Sequence, residues 1–215
     1  KDHDTLYWAH GHPKHHSNED DGQIGCVLNS LYNRDPMSHG HINFTRCGLP
    51  IDVQKRIGEK FWGSPDTVDA IGDYTPTNIY KMKRLQWVVA RKELHDMLGI
   101  CSWTAPWEVS PLREKGYIGD IEMESKVFRA VTGIEMTQDD LDKAGLRAFI
   151  LQRLYTMRQL KSRNPRQDHD QYPEWIFWDP KGKAPFTKGT IRMERSDIEK
   201  SFDLFYGLMD FDVKT

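Results

Sequence analysis

The chain has no two cysteines at Cys-x-x-Cys spacing, and its three, Cys26, Cys47 and Cys101, stand far apart. A disulfide-dense secreted scaffold needs more thiols at closer spacing, so that class is excluded. So is a four-thiolate zinc or iron–sulfur site built by this chain alone. Long apolar runs are missing too. The longest are a few residues, too short for a transmembrane helix or the core of a signal segment. Charge bias is absent: Lys plus Arg is 30, Asp plus Glu is 32, and the formal net charge is −2. That balance removes the electrostatic case for nucleic acid or a membrane surface as partner. Three dispersed thiols in such a chain read as reduced cysteines of a cytoplasmic protein.

What is present is enough for one sizeable core or two small helical domains in 215 residues. The chain starts at Lys1 without a methionine, which reads as an excised piece or a processed product. Residues 1–50 hold most of the histidines, with many Gly, Asn and Asp and little periodicity, so they read as a His-rich loop and turn region. Two readings stay open for His10, His12, His15 and His16: a zinc site, or side chains in solvent. "GQIGCVLNSLYNRDP" reads as a short apolar turn or helix, and His39 and His41 lie two apart on an extended segment.

From Pro50 the pattern turns helical, and the expected second region is 51–215. Ile51, Val53, Ile57 and Phe61 make a stripe that Gly63 ends, and Ser64 with Pro65 starts a further turn. "TPTNIYKMKRLQWVVARKELHDMLG" predicts one long helix with Ile79, Met82, Leu85, Val88, Val89 and Leu94 along one side, stopped by Gly99. Residues 103–120 read as an aromatic loop around Trp103 and Trp107. "MESKVFRAVTG" is a short helix, and Thr137 with Asp140 opens the next with a capping box. That helix is apolar on most sides (Leu141, Ala144, Leu146, Phe149, Ile150, Leu154, Tyr155, Met157), which predicts a central position. A long Pro- and Trp-containing loop follows, and Ser196 with Glu199 reads as the capping box of the last helix. No strand pattern stands out. The expected fold class is mainly α, with long ordered loops.

The chemistry concentrates in Leu94–Trp103, "LHDMLGICSW". Asp96 can accept paired N–H bonds from a heterocycle, Gly99 lets a flat ligand approach the backbone, and the Cys101 thiolate can hold iron or zinc. On these residues alone, an ordinary helix end with a buried thiol is the favoured reading.

The surroundings narrow that choice. "KMKRLQWVVARKELHDMLGICSW" resembles the second pterin-binding segment of the aldehyde:ferredoxin oxidoreductase family of tungsten enzymes, Asp-x-x-Gly-Leu-Cys followed by an aromatic. Asp96, Gly99, Cys101 and Trp103 stand in those places, with Ile100 replacing the leucine. "LRAFILQRLYTMRQLKSRNPRQDHDQYPEW" is similar to that family's helix with two arginines and its following loop. "IEKSFDLFYGLMDFDVKT" is similar to its closing helix, and "LNSLYNRDPMSHGHINF", with one inserted residue, to its Asn-Arg…His turn near the metal.

The resemblance implies the C-terminal helical domains of a tungsten or molybdenum bis-pterin enzyme. Such an enzyme oxidises aldehydes to carboxylic acids and passes electrons through a [4Fe–4S] cluster to ferredoxin or another carrier. It implies a separate N-terminal domain that carries the pterins and three cluster cysteines, with Cys101 as the fourth ligand and Asp96, Gly99 and Ile100 against a pterin. His39, then His41, would hold the catalytic proton, and Asn33 and Arg34 would contact cofactor or substrate; for all four, a structural role in the turn stays open. An aryl-thioester reductase of the same family and a non-catalytic helical interaction module are the alternatives. The isolated chain is expected to be inactive.

Overall fold

The structure is a computed structural model and describes residues 8–9, 12–13, 22–32, 48–68, 75–101, 107–172, 177 and 194–212. Seven α-helices lie among them: α1 (Gly22–Leu31), α2 (Ile51–Trp62), α3 (Ile79–Leu98), α4 (Met123–Thr132), α5 (Gln138–Leu160), α6 (Pro165–Asp168) and α7 (Arg195–Leu208). Two two-residue strands, Trp8–Ala9 and His12–Pro13, pair antiparallel inside the region expected to lack strands. The architecture is mainly α, as expected.

Local signals placed most helix ends. Gly63 adopts the left-handed conformation that closes α2, and Ser64 caps a single 3₁₀ turn, Pro65–Thr67. Asn78 accepts the Lys81 N–H at the start of α3. Thr137 and Asp140 form the full reciprocal box at the start of α5. The Ser196–Glu199 box does not form. Glu194 is the N-cap of α7, without a side-chain bond, because the Glu199 carboxylate is taken by Arg166 and the Tyr172 hydroxyl.

The core is built around α3. Met82, Leu85, Val88 and Val89 pack with Val27, Leu28 and Leu31 of α1, Phe149 of α5, and Ile198, Phe202 and Phe205 of α7. A smaller cluster joins Val53, Ile57 and Trp62 of α2 to Val68, and Trp87 touches both clusters. Helix α5 is less enclosed than its composition suggests. Its buried residues are Leu141, Gly145, Phe149 and Arg153, whereas Leu151, Leu154 and Tyr155 are 68%, 63% and 63% exposed. That face meets no other described element closely enough to cover it.

Charged groups are buried in three networks of ion pairs and hydrogen bonds. The Lys81 ammonium, 1% exposed, donates to Gln23 Oε1 and to both the carbonyl and hydroxyl of Thr75. Gln23 in turn donates to Asp197, which also accepts the Thr77 N–H. Arg153 binds Asp170 through two bonds of 3.1 and 2.8 Å, and Tyr206 donates to the same carboxylate. Burial opposes ionisation of Asp170, but the His169 ring and Arg153 outweigh it and hold the carboxyl below its ordinary range. The third network, on α3, α4 and α5, lies behind the candidate site.

Gly145 of α5 lies directly against the α3 backbone. A Cβ there would stand 2.2 Å from the Ala90 carbonyl oxygen. Gly145→Ala should therefore destabilise the fold by roughly 1–3 kcal/mol, as overpacking does. Gly207→Ala, at a helical glycine with no described atom within 4 Å of the added Cβ, should stabilise by up to about 1 kcal/mol. Urea unfolding midpoints of the two variants should move in opposite directions.

Candidate functional site

Helix α3 ends because Gly99 takes φ 69°, ψ 26°, a left-handed conformation that costs glycine nothing. The Gly99 N–H and the Ile100 N–H both return to the His95 carbonyl, the latter at 2.9 Å. Among the described residues nothing lies within 4 Å of where a Gly99 side chain would begin, so none of them obstructs a flat group there. Asp96, on the last turn, is exposed and pairs with Lys92 one turn earlier. Ile100 is half-buried. Cys101 is exposed and in no disulfide. The negative end of the α3 dipole faces it, the wrong sign for an activated nucleophile, so ligation of a cation suits the placement better.

Asp96, Gly99, Ile100 and Cys101 are thus brought together on one exposed helix end. Asn33, Arg34, His39, His41 and Trp103 lie outside the described residues, as do His10, His15 and His16; of His12 only the backbone is described. Among the described residues no three His, Cys, Asp or Glu are grouped to hold a metal ion.

Next to this exposed end is a largely buried ionic cluster that sequence reading missed. Arg91 and His95 of α3 are both 0% exposed. Arg91 holds Glu124 of α4 at 2.5 Å and Asp142 of α5 at 2.8 Å, and His95 Nε2 lies 2.9 Å from the other Glu124 oxygen. Glu108, 1% exposed, joins from the turn that the Val109–Ile118 bridge closes. Burial pushes its carboxyl up to about 8 against the pull of Arg84 and Arg91, with Glu124 adding to the rise. Asp142 is raised as well, by burial, despite Arg91. One sequence signal was available: Arg84, Arg91 and His95 recur at helical spacing along α3. Their acidic partners are remote in sequence and carry no local pattern.

An open cavity of about 460 Å³ lies between α5 and α7, walled by Ile150, Leu154, Met157 and Phe211 over Arg153. It includes none of the predicted site residues, and the Arg153 charge is already answered by Asp170.

One thiol, one carboxylate and one left-handed glycine thus stand together at a helix end. Residues 38–215 match the family model described as aldehyde ferredoxin oxidoreductase, domains 2 & 3. The chain belongs to that family and corresponds to its C-terminal helical region. No solved structure matches it. No helix among the described residues is long and apolar enough to cross a membrane.

The exposure difference makes a direct check. In a Cys47→Ser background, a maleimide should label native Cys101 at once and reach the buried Cys26 only after denaturant is added. Equal labelling of both thiols by mass spectrometry would contradict the described end of α3.

Proposed function

We propose that the chain forms the C-terminal part of an oxidoreductase that converts aldehydes to carboxylic acids, with water as the oxygen source and two electrons and two protons released. The observation that carries this reading is the exposed Asp96–Gly99–Cys101 helix end in a chain of the aldehyde ferredoxin oxidoreductase family. A tungsten or molybdenum bis-pterin centre, when bound, supplies the two-electron oxidation, and a [4Fe–4S] cluster passes the electrons singly to ferredoxin or another carrier.

Within this reading each residue has a defined task. The Cys101 thiolate gives one of four cluster ligands, the other three coming from an N-terminal domain. The Asp96 carboxylate accepts paired N–H bonds from a pterin ring, with Lys92 holding it in place. Gly99 and Ile100 offer backbone without obstruction. His39, or His41 beside it, holds and returns a proton near the reacting carbon, since imidazole titrates close to neutral pH. Arg34 and Asn33 orient cofactor or substrate. Lacking most of the cluster ligands, the isolated chain is inactive.

The test uses the complete protein with its cofactor-carrying domain. Cys101→Ser should abolish or reshape the electron paramagnetic resonance signal of the reduced cluster, and Asp96→Asn should lower the pterin-to-protein ratio. An unchanged spectrum in Cys101→Ser removes the ligand assignment. Absence of both tungsten and molybdenum by elemental analysis would instead favour a non-catalytic helical module.

A further inference from the structure

His95 is the last buried residue of α3, and residues 96–101 after it are exposed or half-buried. The last turn of a helix frays unless a contact from another element restrains it. Here that contact is made by the His95 side chain. Its Nε2 lies 2.9 Å from Oε1 of Glu124 on α4, and both side chains are 0% exposed.

Glu124 is itself held. Its other oxygen accepts the Arg91 guanidinium at 2.5 Å, so it meets His95 as an acceptor and the ring nitrogen donates. Asp142 of α5 faces Arg91 through Nε at 2.8 Å and Nη2 at 3.3 Å, and Gln138 donates to Asp142 at 2.9 Å. Each link from α5 through Arg91 and Glu124 to His95 is a direct polar contact. The backbone of His95 carries the next link. Its carbonyl accepts the Gly99 N–H and, at 2.9 Å, the Ile100 N–H. These two bonds close the left-handed turn that leads to Cys101.

We propose that the His95 ring, held by Glu124, positions the cofactor-contacting end of α3. It fixes the carbonyl on which Gly99 and Ile100 depend, and so the direction in which Cys101 leaves the helix. This rests on the reading of that end as a cofactor contact. His95 and Glu124 are positioning residues and act through the turn.

The test is amide hydrogen exchange at Gly99 and Ile100, read by nuclear magnetic resonance on the 215-residue chain. His95→Phe keeps a ring and removes the donor. It should speed exchange at both amides about tenfold, as loss of a bond to a charged group does. His95→Gln places an amide N–H near the position of the ring Nε2 and should return both rates toward wild type. Glu124→Asp keeps a carboxylate for Arg91 but falls short of the ring. It should speed the same two amides, and it decides the case in which His95→Phe fails to fold. Helix ends open locally, without global unfolding. Ile57→Ala, a truncation in the smaller core cluster, should therefore lower the urea midpoint and leave both rates unchanged.

Wild-type rates in His95→Phe, or in Glu124→Asp where only that variant folds, would overturn the proposal. So would an equal rise in Ile57→Ala, or no recovery in His95→Gln, because either result marks a ring that only adds stability. In the complete protein, His95→Phe should also shift the electron paramagnetic resonance g values of the reduced cluster at unchanged iron content. A loosened turn beside a cluster signal that neither His95→Phe nor Cys101→Ser alters would overturn the cofactor reading of this end and leave the anchoring of the turn in place.

Discussion

Helix α3 is buried along most of its length yet carries Lys81, Arg84, Arg91 and Lys92 inside the fold. A buried cation without a partner is too costly to keep, so the surrounding elements must supply oxygens at fixed places. Gln23 of α1 and Thr75 answer Lys81, and Glu124 and Asp142 answer Arg91, while Lys92 is answered within α3 by Asp96. The apolar contacts of Met82, Leu85 and Val89 provide the driving force for packing. The ionic contacts decide which helix packs where.

Gly145 makes this arrangement possible. Side-chain ridges normally keep helices 8–10 Å apart, and at Gly145 α5 comes onto the Ala90 carbonyl itself. Three residues before that contact, Asp142 reaches the Arg91 guanidinium. A small residue at one crossing point and a carboxylate one turn away therefore act as a unit. The first permits close approach, and the second uses it.

The parts of this structure legible in sequence were the local ones. Gly63, Gly99 and Gly133 end helices because left-handed backbone favours glycine, and the Thr137–Asp140 box works between neighbours in the chain. The resemblance of Asp96, Gly99 and Cys101 to a family segment was readable for the same reason: all three sit on one turn. What sequence did not show depends on distant partners. Ser196 and Glu199 have box spacing, but Arg166 and Tyr172 claim Glu199 from another element. The apolar residues of α5 outnumber the neighbours available to cover them. Glu124 lies 29 residues from His95, and nothing near either predicts the pairing.

His95 joins the two halves of the site. Its imidazole is held inside by Glu124, and its carbonyl is the anchor of the turn that presents Gly99, Ile100 and then Cys101 outside. Backbone and side chain of one residue cannot move independently by more than a rotamer change, and a ring that is 0% exposed has little room for one. The exposed groups are therefore only as well placed as the buried ion pairs beneath them. This explains why so polar a cluster is retained where apolar packing would serve stability as well. Apolar side chains could fill the volume, but they would not specify one orientation of His95, and the position of Cys101 depends on that orientation.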